Sequence, residues 1–246
     1  MIIFEPYWLD GFLSDYTFQC ENETLRNVER KLVLYIKQFE FMEDDVVLEP
    51  YFRIGWQGTN MNSTGTDFGD IKIVERHAKE ASLAYLSNFP VQGMDDIERM
   101  QPRSFQVDRA PALQAQSALM DIFGDIVPVK LANFDNFDPL MGDQPFTGNF
   151  FIGVTWDTFK LIGAEAMMLW PYDQPETLKA LLDFLVDDKK RFFNYLARER
   201  LLDYNTDNQF GGSSCCGYVH GLPSDEATEK VKIGDLWTWS ESREPR

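Results

Sequence analysis

The chain has 246 residues, 44% of them apolar and 14% aromatic, which is ample for a core and argues against intrinsic disorder. Forty acidic residues against 23 basic ones leave a formal net charge of -17 with no basic run, which argues against nucleic acid or an anionic membrane as partner. Cys20, Cys215 and Cys216 offer neither a disulfide framework nor a metal-ligand spacing. With no cationic leader and no apolar run of spanning length, a soluble, reducing, cytoplasmic setting is expected.

In chain order, the aromatic stretch from Met1 to Phe18 reads as an arm packed over the domain. Leu25, Val28, Leu32, Tyr35, Ile36 and Phe39 then recur at helical spacing and predict a helix over 21–41. Val46 to Ile54 predicts a strand that bends or stops near Pro50. Gly55 to Gly69 reads as loop, and Ile71 to Leu86 as a short strand followed by a helix. Met94 starts a further helical turn, Asp108 to Phe123 is a helix that Gly124 can end, and Ile126 to Asn133 is a second strand. Thr155 caps a helix running to about Trp170.

The longest amphipathic pattern follows. Asp173 reads as its N-cap, Pro175 suits the first turn, and Glu176 completes a capping box. Leu178, Leu181, Leu182, Leu185, Phe192 and Leu196 form its apolar stripe, while Asp183, Asp187, Asp188, Lys189, Lys190 and Arg191 read as its solvated back. A third strand is expected from Leu201 to Tyr204, ending in polar residues. A helix covering a strand with a polar carboxyl end is the repeating unit of α/β barrels and open α/β sheets.

Four stretches carry a family resemblance. They are Cys20–Glu23 through Glu29–Leu32, Met94–Met100, the run from Gly163-Ala164-Glu165 through Tyr172-Asp173-Gln174-Pro175-Glu176 to Asn205-Thr206-Asp207-Asn208, and Asp235-Leu236-Trp237 with Ser240-Glu241-Ser242. In this order they resemble the uroporphyrinogen decarboxylase superfamily, which includes cobalamin-linked methyltransferases. The resemblance implies a (β/α)8 TIM-type barrel with its ligand at the carboxyl ends of the strands. Only three clear strands are legible, so the chain reads as the N-terminal part of such a barrel: an arm and helix over 1–45, then barrel units over 46–246. Open sheet edges would then be covered by a homodimer or by further chain, and turnover of this form alone is expected to be low.

Polar residues at the expected strand ends form the candidate site. Glu49, Asp135 and Asp207 are the candidate catalytic carboxylates; Tyr51, Arg53, Asn133, Asn205 and Trp237 are the candidate substrate-binding residues. Loop caps and Asx turns are the other reading of these Asp and Asn residues. Paired carboxylates would also suit a glycosidase, with the tryptophans as sugar platforms. The decarboxylases proper hold a poly-acidic tetrapyrrole with an Arg-Gln-Ala-Gly-Arg segment. No such arginine pair occurs here, and Glu49 stands where the resemblance places an essential Asp. The expected function is therefore a small-molecule enzyme nearer the methyltransferase branch, the alternative being a non-catalytic binding or structural barrel piece. Zinc and cobalamin enter only through that branch, whose zinc ligands would fall past Arg246; no metal site is expected within the chain.

Overall fold

The computed structural model describes residues 11, 13–42, 50–77, 85–132, 153–202, 210–211, 216–217 and 231–235. In chain order its elements are α1 (Glu23–Phe41), β1 (Phe52–Gly55), β2 (Gln57–Thr59), β3 (Asp67–Phe68), β4 (Ile71–Lys72), β5 (Glu75–His77) and β6 (Tyr85–Ser87). Then come α2 (Met94–Arg99), β7 (Gln106–Asp108), α3 (Ala110–Phe123), β8 (Val129–Ala132), α4 (Thr155–Asp173), α5 (Pro175–Arg198), β9 (Phe210–Gly211), β10 (Cys216–Gly217) and a 3-10 turn at Ile233–Asp235. The chain divides into two compact units: Met1–Gly58 with Val107–Asn149 and Ala197–Trp237, and Thr59–Gln106 with Phe150–Leu196 and Thr238–Arg246.

The first unit is built on a parallel strand pair. β1 and β8 run in register from Phe52 opposite Val129 to Gly55 opposite Ala132. Parallel strands need a crossover, and α3 lies on that connection. Phe52, Ile54 and Val129 are buried against Val28 of α1 and Ala112, Ala115 and Leu119 of α3. At about 1.5–3 kcal/mol for each large side chain buried, this small core is the main force holding the pair. Asn22 caps α1 by accepting a hydrogen bond from Leu25 N at 3.1 Å. In the described part of the arm, Leu13 packs on Val33 and Leu34 of α1, as expected of it.

Residues 46–49 of the first expected strand and Asn133 of the second lie outside the described residues. Pro50 offers no ladder donor, and the first strand starts two residues after it. Ile126 and Val127 donate to Phe123 O as a turn leaving α3, so the second strand starts only at Val129, and Ile126 is 75% exposed. Of the third expected strand, Leu201 and Leu202 are buried coil and the remainder lies outside the described residues. The boundary expected near residue 45 separates no units, because Val28 shares its core with Phe52 and Ile54. Among the described residues the sheets are two-stranded: β1–β8 is parallel, and β3–β4, β5–β6 and β9–β10 are antiparallel.

The second unit is organised by α4 and α5. Their core joins Leu161, Ile162, Trp170, Leu181 and Leu185 to Phe68, Ile71, Val91, Ile97 and Met100. α4 breaks at Gly163, whose φ of 78° is open to glycine and strained for other residues. A Cβ there would also meet the Phe89 ring at 3.3 Å. The capping box expected at Asp173 does not form. Asp173 ends α4, and Gln174 both caps α4 and accepts the first α5 hydrogen bond, from Leu178 N. The α5 stripe is corrected in detail: Leu181, Leu185, Phe192 and Leu196 are buried, whereas Leu178 and Leu182 are half-buried. Of the helix expected before Leu86, residues 78–84 lie outside the described residues, and Tyr85–Ser87 pairs with β5 as a strand instead. No helix among the described residues is long and apolar enough to cross a membrane.

Candidate functional site

Of the expected site residues, Glu49, Asn133, Asp135, Asn205, Asp207 and Trp237 lie outside the described residues. Tyr51 and the backbone of Arg53 are described, and Arg53 belongs to the parallel pair. Tyr51 stands just before β1, at the amino end of that strand rather than its carboxyl end. Phe52 N seals that end by donating to Pro128 O at 2.8 Å. Arg53 is the register partner of Lys130 on β8. Lys130 was not among the expected residues, yet its Nζ lies 3.6 Å from the centroid of the Tyr51 ring, a close cation–π contact. The two carboxyl ends are Gly55 and Ala132. Trp56 follows the first, with the Arg109 guanidinium 5.9 Å from its ring centroid, and in sequence Asn133 and Asp135 follow the second.

The same unit holds an open groove of about 530 Å3 between the start of α1 and the α3 surface. Asn22, Thr24, Gln57 and Gln114 give it a polar margin, and Leu25, Ala115 and Leu119 an apolar floor; none of its lining side chains is charged.

The second unit contains the most strongly organised electrostatics. Arg103 and Asp188 are 4% exposed each, Lys189 is 5% and Asp157 is 1%. Arg103 Nε and Nη2 reach Asp188 Oδ2 at 2.8 and 2.6 Å, and the Arg103 backbone N–H donates to Oδ1 at 3.3 Å. Its Nη1 donates to Asn62 O at 2.9 Å and Thr64 O at 3.3 Å. The rings of Phe105, Phe192 and Phe68 stand 5.1, 5.7 and 6.0 Å from the guanidinium carbon. Arg191 closes this half by donating to Arg103 O at 2.7 Å. Beside it, Lys189 Nζ meets Asp157 Oδ2 and Ser63 O, each at 2.8 Å.

Such pairs are tolerated in a core only when the charges balance and the remaining donors find acceptors. Here the backbone carbonyls of 62–64 supply those acceptors, so the loop is fixed to α5 by two buried cations. Two atoms of the cluster lack a hydrogen bond among the described residues: Arg103 Nη2, which meets Asp188 Oδ2 only as an ion pair, and Asp157 Oδ1. Burial holds the Asp157 carboxyl above the usual carboxylate range against the pull of Lys189. The cluster can hold a proton or a water at Asp157 Oδ1, but both cations are already paired with buried carboxylates and backbone carbonyls, so it acts as a clamp rather than as an open ligand site.

A third feature is the Glu29 carboxylate on α1. It accepts from Gln19 N and Cys20 N, both at 2.8 Å, and from the Tyr16 hydroxyl at 2.9 Å. These bonds, the Gln19 one foremost, hold its pKa at about 2. The neighbouring Cys20 thiol is pushed up by desolvation and by Glu29, which removes thiolate character from it. Among the described residues no group of three or more His, Cys, Asp or Glu side chains is placed to hold a metal ion.

Asp188 and Lys189 escaped the sequence reading because Asp and Lys in a charged run were assigned to the solvated face. The signal was present in the spacing, since 181, 185, 188, 192 and 196 are one continuous helical row. Comparison with protein-family models, curated proteins and solved structures gave no match for this chain.

Proposed function

We propose that the chain is a uroporphyrinogen decarboxylase-like α/β protein that handles a small molecule at the carboxyl ends of its parallel strands, in the cytoplasm. The observation that carries this reading is the β1–β8 pair with α3 on its connection. Parallel strands joined through a helix are the unit from which barrels and open α/β sheets are made, and those folds place ligands beyond the strand carboxyl ends. Asn133 and Asp135 follow one such end directly in sequence. In the proposed site, Asp135 and Asp207 move the proton, while Asn133, Asn205 and Trp237 hold the substrate; Glu49, Tyr51 and Arg53 precede or open β1 in sequence and are left out of it.

The net charge of -17 disfavours a substrate with many carboxylates, so the methyltransferase-like branch is preferred to uroporphyrinogen itself. Zinc or cobalamin would supply methyl-transfer chemistry in that branch. No described ligand set fits a metal, so no step here is assigned to one. Association of two copies along the open edges of the two-stranded sheet is part of the same proposal.

The test is a thermal-shift panel of thiols, methylated amines, corrinoids and tetrapyrroles on the purified chain. A compound that raises Tm for the parent but not for Asp135→Asn or Asp207→Asn supports the site. A shift that both variants retain removes these carboxylates from it, and a folded protein that responds to nothing in the panel removes the substrate class.

A further inference from the structure

The second half of α4 presents an apolar face that lies outside the core its unit forms among the described residues. Ile162 and Trp170 are buried in the core, with Ala166 and Met167 packed against it, so that side of the helix is already seated. On the other side Met168, Leu169 and Tyr172 are 68%, 47% and 86% exposed. At 100° per residue, Ala164, Met168, Tyr172 and Leu169 fall on one contiguous face. Three large apolar side chains turned to water on one short helix are a feature of surfaces that meet partners. The Gly163 break and Pro171 fix where this surface begins and how far it can continue.

Its charge selects the occupant. Glu165 and Asp173 lie on the same exposed face, exposed Glu176 follows in the first turn of α5, and no Lys or Arg occurs from Gly163 to Asp173. We propose that this face docks a basic amphipathic helix of another protein, with apolar side chains on Met168, Leu169 and Tyr172 and flanking Lys or Arg on Glu165 and Asp173. Methionine adapts to varied apolar partners, and acidic margins set orientation and on-rate. The same acids repel anionic lipid and nucleic acid. They also disfavour a second copy of this chain, which would set like charges opposite each other. The inference is independent of the strand-end site.

The probe is a fluorescently labelled amphipathic peptide of leucine and lysine, about 18 residues long so that it forms several helical turns, followed by anisotropy against the full chain. Controls are a scrambled peptide of the same composition and anionic phosphatidylserine vesicles. The expected result is saturable binding of the amphipathic peptide, weaker binding of the scramble and none to vesicles. Met168→Gln with Leu169→Gln should weaken it about tenfold or more, and Glu165→Lys with Asp173→Lys should weaken it similarly and remove most of its salt dependence. All four positions are exposed, and an unchanged melting curve for each variant verifies the fold. Equal binding of the scramble, or no effect of the Met168 and Leu169 variant, shows mere attraction of unlike charges and overturns the proposal. So does a dimer in sedimentation that this variant dissolves, since the face would then belong to a second copy, and so does binding to the vesicles.

Discussion

The two units solve the problem of placing charge in opposite ways. In the first, the described cation on the parallel pair stays at the surface: Lys130 is exposed and rests on the Tyr51 ring. In the second, Arg103, Lys189, Asp157 and Asp188 are all withdrawn from water and matched to one another and to backbone carbonyls. A surface cation is available to a ligand and contributes little to stability. A buried, matched pair contributes specificity of packing and is closed to ligands. The density of charge is therefore a poor guide to chemistry, and the more loosely held charge at the strand pair is the better candidate for a binding role.

The contrast can be broken most directly at Asp188. Asp188→Ala leaves the Arg103 guanidinium buried without its counter-charge, and the expected loss is about 3–5 kcal/mol in urea unfolding. Lys130→Ala, by comparison, should stay within about 0.5 kcal/mol of the parent. Similar losses at the two positions would mean that burial does not divide the units as argued. Next in size is the α5 stripe. Leu181→Ala removes a fully buried side chain and should cost about 2–5 kcal/mol, whereas half-buried Leu182 should cost clearly less. A greater loss at Leu182 would place the stripe on the wrong side of the helix.

What the sequence disclosed follows from the range of the forces involved. α1 and α5 were legible because amphipathic spacing is local, and α3 and α4 were placed by local end signals at Gly124 and Thr155. Strand starts were not legible, because Ile126–Asn133 is an apolar run in which the turn leaving α3 and Pro128, not hydrophobicity, set where pairing with β1 begins. The Arg103–Asp188 pair joins residues 85 apart, and no local pattern reveals a contact at that range. Its α5 half alone was readable, as a charged residue in the core row. The pair β5–β6 was misread in its second strand because the run to Leu86 carries a helix-compatible pattern that tertiary pairing overrides.

Acid pH separates the remaining charges in sign. Asp157 has a folded pKa above its usual value, so its favourable contribution is complete below the unfolded value and is lost as pH rises through the folded one. Asp157→Asn should flatten that fall, whatever it costs in absolute stability. Urea midpoints for parent and variant that run parallel with pH would remove the burial argument.

Glu29 should behave oppositely and more weakly, because it is part-exposed and acts on one segment. Its pKa is lowered from the usual 4.5 to about 2 by the bonds from Gln19 N, Cys20 N and the Tyr16 hydroxyl. A depressed carboxylate stabilises above its unfolded pKa, and this contribution disappears as pH falls from about 4.5 towards 2. Glu29→Gln keeps an acceptor oxygen but loses the charge, so the bonds that hold 16–20 to α1 weaken without a gap being made. Amide exchange at Gln19 and Cys20 should therefore rise in the variant at neutral pH, and in the parent only on acidification. With Glu29 gone, Cys20 also loses a neighbour that holds its thiol protonated, so the thiol should react faster with an alkylating probe. Faster amide exchange without faster alkylation would show that desolvation alone sets the thiol, and unchanged exchange would show that the arm is held by Leu13 and the apolar face of α1 instead.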